Sequence, residues 1–169
     1  MARRIRLRAK ESRELLLQID QRLRSALEGA AGGEVNSVEA YESDDVRIYL
    51  FNGRPLLFRA EGQLRPLLNF EEFVNTMPQI IVDMGAVPKI CNGADVMAPG
   101  VRRIHGSFKS EELVAIADER FSKTVSIAEA IFSSDEVRGM KSGRIAKNLH
   151  FVGDRVWKMA KSLEKPRKS

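Results

Sequence analysis

The chain has 169 residues, enough for one or two small domains, and its 43% hydrophobic and 30% charged residues suit a water-soluble fold with its own core. No apolar run approaches the ~20 residues of a membrane span. The basic N-terminus lacks the apolar stretch and small-residue cleavage site of a secretory signal, so a cytoplasmic protein with no membrane partner is expected. Cys91 is the one cysteine, which excludes an intrachain disulfide, and with His105 and His150 it makes no zinc-ligand spacing. The net charge is +5, and residues 138–169 hold ten basic side chains against two acidic ones. Such asymmetry points to a polyanionic partner, although a solvated face with two charged ends would give the same count.

Residues 1–10 carry Arg3, Arg4, Arg6, Arg8 and Lys10, interleaved with Ile5 and Leu7. They read as an edge strand or as an arm that orders on nucleic acid. Ser12 is placed to cap one continuous helix. Leu15, Leu16, Ile19, Leu23, Ala26 and Leu27 recur at three- and four-residue spacing, and Gly29, Gly32 and Gly33 end it. Residues 35–60 read as a strand meander. Ser43-Asp44-Asp45 is a turn, Val46, Ile48 and Leu50 alternate with Arg47, Tyr49 and Phe51, and Asn52-Gly53 is a hairpin signal because both positions require positive φ. Glu61-Gly62 is the next turn. Asn69 and Glu72 have capping-box spacing for a short helix before Pro78.

The stretch from Ile80 to Val101 is the most informative. Ile80-Ile81-Val82 is a strand run, cut by Asp83 and Gly85. Val87 and Ile90 suit a short helix packed by one edge, Pro88 is tolerated near its start, and Gly93 fits its stop. Ala94 to Ala98 then leads to the Pro99-Gly100 turn. A glycine stands where a strand hands over to a helix. Backbone N–H groups there can lack internal partners and face an anion, and the missing side chain lets a phosphodiester come close. Asp83 is expected to accept N–H bonds from the loop it precedes.

Beyond Val101, Leu113 to Asp118 and Val125 to Phe132 alternate in strand fashion. Ser133 and Glu136 form a second capping box for a helix of about two turns that ends near Gly139. Ile145 to Val152, a Gly153-Asp154 turn and Val156 to Met159 read as a last hairpin that pairs the strands of His150 and Trp157. Strands separated by turns, with little helix, suggest a small β-barrel.

VDMGAVPKICNGADVMAPGV resembles the opening of a PUA domain, the RNA-binding module named after pseudouridine synthases and archaeosine transglycosylases. The matching positions are Val82, Asp83, Gly85, Ala86, Gly93, Ala94, Pro99, Gly100 and Val101. The preceding VRIYLFNGRPLLFRAEGQLRPLLNFEEF resembles the domain ahead of PUA in the malignant T-cell-amplified sequence protein family and its archaeal relatives. Leu67 departs from the Pro-Thr pair common there. LHFVGDRVWKM resembles the last hairpin of the same family. The resemblance implies an α+β N-terminal domain over residues 1–75, a PUA-type pseudo-β-barrel with short helices over 76–160, and a flexible basic tail over 161–169.

No catalytic constellation is visible. The serines lack a Gly-x-Ser-x-Gly context, and no Gly-rich loop is followed by Lys-Ser or Lys-Thr. No catalytic residue, metal site or cofactor is therefore expected. PUA domains usually bind RNA along their short first helix and the strand after it. Carried over, this points to Gly85, Ala86, Val87, Lys89 and Gly93 for close approach, and to Ala94, Pro99 and Gly100 as the frame. Lys89, Arg102, Arg103, Arg144 and Lys147 would supply phosphate contacts. With few aromatics expected at the surface, shape and backbone recognition should outweigh base reading. The resemblance implies a noncatalytic RNA-binding protein that contacts tRNA, or rRNA of the small ribosomal subunit, in translation initiation, reinitiation or recycling. An RNA-targeting subunit for a transglycosylase or pseudouridine synthase is the alternative. A protein-interaction scaffold is a third.

Overall fold

The meander read from the sequence folds into the first of two antiparallel-rich sheets in the computed structural model, which describes residues 2–164. Residues up to Phe73, together with those from Lys158 on, form one unit, and Val74–Trp157 form the other.

In the first unit, β1 (Arg3–Arg6), β2 (Val38–Ser43), β3 (Val46–Phe51), β4 (Arg54–Ala60) and β5 (Gln63–Pro66) pair in sequence order, all antiparallel. The hairpin turns are the ones the sequence marks: Asn52 and Gly53 take φ of 50° and 84°, and Glu61 and Gly62 take 53° and 75°. Asn52 does more than turn the chain. Its side chain accepts the N–H groups of Asn36 and Ser37 and donates to the Glu34 carbonyl, which ties the approach to β2 onto the β3–β4 hairpin. The basic N-terminal stretch is an edge strand, not an arm, and Arg4 pairs with Glu39 at 2.7 Å and Arg3 with Glu42 at 3.1 Å. Leu7, Leu15, Leu27, Val38, Tyr49, Phe51, Leu56 and Phe70 fill the core.

Two expectations in this unit are corrected. The single amphipathic helix is two, α1 (Ala9–Leu17) and α2 (Gln21–Ala30). Asp20 breaks it, because its carboxylate accepts the Leu23 N–H at 2.8 Å and so caps a new helix. The apolar stripe continues through the break, which is why periodicity alone did not reveal it. Asn69 is not a cap. Its amide donates to the Pro55 carbonyl at 3.0 Å, and the helix that follows, α3 (Glu71–Val74), is a single turn.

The second unit holds β6 (Gln79–Val82), α4 (Ala86–Ile90), β7 (Val96–Met97), β8 (Val101–His105), β9 (Leu113–Asp118), β10 (Thr124–Ala130), α5 (Ser134–Arg138) and β11 (Arg144–Phe151). They form a curled six-stranded sheet in the order β7-β11-β10-β9-β6-β8. β6 runs parallel to β9 and antiparallel to β8, so the strand that feeds the glycine corner lies inside the sheet. Its residues Ile80, Ile81 and Val82 are buried, as a strand with neighbours on both edges requires. Ile90, Val96, Phe108, Val114, Ile116, Ala128 and Ile145 complete the core. The Ser133–Glu136 capping box forms as read.

The expected last hairpin is a helix, α6 (Arg155–Leu163). Asp154 caps it, accepting the Trp157 N–H at 2.7 Å on one oxygen and the Phe151 N–H at 2.9 Å on the other. Val156, Met159, Ala160 and Leu163 follow at helical spacing, a pattern hidden by the short alternation around Val156 and Trp157. α6 runs into the segment expected to be a tail, and residues 165–169 lie outside the described ones. No described helix is long and apolar enough to cross a membrane.

Candidate nucleic-acid interface

β6 ends at Val82, and Asp83 turns the chain. One Asp83 oxygen accepts the Ala86 N–H at 2.8 Å and starts α4, the Asx-type role expected of it. Gly85 follows at the solvent surface with φ of −71°, so no left-handed conformation demands glycine there. A β-carbon on Gly85 would sit 3.4 Å from Asp83 Oδ1, an ordinary contact. Glycine at this position keeps the surface bare.

The corner is not an open nest for an anion. The Ala86 N–H is held by Asp83, and the Met84 N–H points to Glu119 Oε1 at 3.4 Å. Arg102 lies between these carboxylates, 3.7 Å from Asp83 and 3.5 Å from Glu119. The amide groups expected to face a phosphate are thus largely satisfied by the protein's own acids. Binding of a polyanion here has to come from side-chain cations and from the close approach that Gly85 permits.

The far end of α4 is built by Asn148 on β11. Its side-chain amide donates to the carbonyls of Ile90 and Ala94, both at 3.0 Å, and Ser126 donates to its oxygen at 2.7 Å. Its main-chain N–H goes to Asp95 Oδ1 at 2.8 Å, while Asp95 Oδ2 pairs with Arg144 at 3.0 Å. Gly93 takes φ of +98°, with the Phe151 ring 3.7 Å from where a β-carbon would be. Here glycine is needed for conformation as well as room. Gly100 is tight against α4 for another reason: a β-carbon would meet that of Ala86 at 3.3 Å.

The predicted cations therefore fall into two kinds. Arg102 and Arg144 stand at opposite ends of α4, each already paired to a carboxylate. Lys89, Arg103 and Lys147 are exposed, and the ion pairs among the described residues do not involve them. Ala86, Val87 and Gly100 are half-buried, whereas Gly85, Lys89, Gly93, Ala94 and Pro99 are exposed. The residues singled out by resemblance thus divide into a surface and its support.

The PUA domain family matches residues 78–152, the span that holds this corner, and a domain of unknown function, DUF1947, matches residues 3–70. An uncharacterised protein of Methanocaldococcus jannaschii is 33% identical over 124 residues, which cover 72% of this chain and 75% of that protein. The chain belongs to the PUA-domain proteins that carry DUF1947 in front. Translation machinery-associated protein 20 of Saccharomyces cerevisiae is 25% identical over 121 residues, 68% of this chain and 67% of that one. A crystal structure of a hypothetical protein from Pyrococcus horikoshii superposes with a TM-score of 0.75 at 26% identity, over 94% of this chain and 99% of that chain.

Within the PUA domain, the turn before Lys123-Thr124, which sequence reasoning marked as a turn but not as part of the site, lies against the same corner. Residues 118–123 join β9 to β10, and Asp118, 4% exposed, organises them. Its oxygens accept the N–H groups of Phe121 and Lys123. The Glu119 N–H donates to the Val82 carbonyl at 2.9 Å, which fixes the turn beside the end of β6. Phe121 is 71% exposed, with the Arg120 guanidinium 5.2 Å from its ring centre. The available signal was an aromatic inside a turn between two strands, where it cannot join either strand's core face. Among the exposed large hydrophobic side chains of the described residues it is the one aromatic, in keeping with the expectation that exposed aromatics are few.

The other candidate groups of the PUA domain are committed to structure. Burial pushes the Cys91 thiol up despite the nearby Lys123 charge, which disfavours the reactive thiolate. His150 is buried, and its Nδ1 lies 2.9 Å from Asp154 Oδ2.

Proposed function

We propose that this protein is a noncatalytic RNA-binding protein whose PUA domain receives a ribose-phosphate strand across α4. The carrying observation is the exposed Gly85 corner with Arg102 and Arg144 at the two ends of α4 and Lys89 on it. Phosphates attract such cations and release condensed counterions when bound. The two carboxylate-paired arginines can exchange partners at little cost, because an exposed ion pair contributes only ~0–1 kcal/mol. The acids that hold the corner amides repel phosphate, so the RNA phosphates should lie toward Lys89, Gly93 and Lys147.

The RNA we infer is tRNA or the RNA of the small ribosomal subunit, with a role in translation initiation, reinitiation or recycling. The likeness to translation machinery-associated protein 20 supports this reading. A thiol whose reactive form burial disfavours, and a histidine buried out of reach of substrate, fit a noncatalytic role. Co-sedimentation with purified small ribosomal subunits tests it. Binding to subunits at submicromolar concentration is expected. Binding to free tRNA but never to subunits, together with capture of a transglycosylase or pseudouridine synthase, would replace it by the accessory-subunit reading.

A further inference from the structure

Phe121 is exposed by construction. Its turn is held by a buried carboxylate and by the Glu119–Val82 backbone bond, so the ring stands outward from a rigid base. A phenylalanine left in water forgoes the stabilisation that burial would supply. A polar residue would serve the turn equally well, which leaves the ring available to a ligand. Its sequence neighbours are Glu119, Arg120, Ser122 and Lys123, not further apolar side chains, which disfavours a hydrophobic protein-docking patch. The turn also reaches the start of the short helix, where Glu119 meets the Met84 amide before α4.

We propose that Phe121, with Arg120 and Lys123, is a stacking platform for an unpaired base of the RNA whose backbone crosses α4. This rests on the RNA-binding reading above and adds to it a preference for single-stranded over duplex RNA. Arg120 already lies over one face of the ring, the base takes the other, and Lys123 takes an adjacent phosphate. A paired base keeps its faces inside the duplex and gains nothing from the ring.

The full chain is titrated with an adenine-rich single-stranded RNA of about twelve nucleotides, within the usual site sizes of single-strand binders, and with a blunt duplex of equal length. Phe121→Ala should weaken the single strand about tenfold and the duplex less than about twofold. Phe121→Trp should keep the single-strand affinity, and its emission, taken as the difference from the wild-type Trp157 signal, should be quenched on binding. Unchanged single-strand affinity in Phe121→Ala, while Lys89→Glu loses binding, would overturn the platform and leave the RNA reading standing. Equal losses on both probes would also overturn it, as would untouched RNA affinity with loss of a captured protein partner. Wild-type protein that binds neither probe would remove the RNA reading itself, an outcome distinct from the others. Because the ring is exposed, the thermal midpoint of both variants should match the parent's, which keeps unfolding out of the comparison.

Discussion

Asn148 donates its side-chain amide to the Ile90 carbonyl at 3.0 Å, closing the last turn of α4 from the neighbouring strand. The same group holds the Ala94 carbonyl, and Ser126 holds its oxygen. The helix is five residues long, too short to persist alone. Its position is therefore set by β11. Asn148→Ala should remove these bonds, leave the Ile90 carbonyl only the Gly93 N–H, and destabilise the PUA domain by about 2 kcal/mol. Urea unfolding measures the loss, and RNA affinity should fall with it as α4 loosens.

Gly85 offers a cleaner separation of fold from binding. Its φ is ordinary and a β-carbon there has room, so Gly85→Ala should change stability by less than about 1 kcal/mol. If the RNA backbone approaches as closely as proposed, the added methyl should still cost several-fold in affinity. Gly93→Ala differs, because φ of +98° makes the substitution strained and it should destabilise by about 1–3 kcal/mol. Thermal unfolding and RNA titration of both variants discriminate a bare surface from a required turn.

Asp154 carries a pH-dependent share of stability. Burial alone would raise its pKa, but the hydrogen bond and charge of His150 and the N–H groups of Phe151 and Trp157 outweigh burial and hold it below the usual carboxylate value. A depressed folded-state value means the contribution is complete above the unfolded pKa of about 3.9 and is lost as pH falls through the folded one. Asp154→Asn should be less stable than the parent at pH 7. In thermal melts, the gap should narrow as pH drops below about 4. A gap that stays constant to pH 2 would show that the carboxylate charge is not what matters.

The cations should separate by their existing partners. Lys89→Glu with Arg103→Glu should lower RNA affinity about tenfold or more with little change in stability, since both side chains are exposed and form no ion pair among the described residues. Arg102→Glu should cost up to about 1 kcal/mol as well, because it sets a third carboxylate beside Asp83 and Glu119. Equilibrium unfolding and RNA binding on the same samples show both effects.

Much of this fold was legible because local chemistry and tertiary structure agree. Asn52-Gly53 needed positive φ and took it, and Ser133 and Glu136 cap one another as their spacing requires. Val82-Asp83-x-Gly85 gave the corner, because only a strand followed at once by a side-chain-capped helix suits that order. What escaped was set by competition between one polar side chain and an apolar pattern. Asp20 broke a stripe that looked continuous, and Asp154 turned an apparent strand into a helix. Of the site, the glycines and cations were readable. The closing of the corner by Glu119, and the exposure of Phe121 beside it, depend on β9 lying next to β6, a parallel pairing between strands distant in sequence. No local spacing encodes that neighbour.

The salt dependence of RNA affinity tests the central claim most directly. Lys89, Arg103 and Lys147 alone should make the logarithm of the affinity for a single strand fall against the logarithm of salt with a slope of about −2, and phosphate contacts by Arg102, Arg144 and Lys123 should steepen it. Lys89→Glu with Arg103→Glu should flatten that slope. A parent protein whose affinity does not change between low and moderate salt would contradict the account.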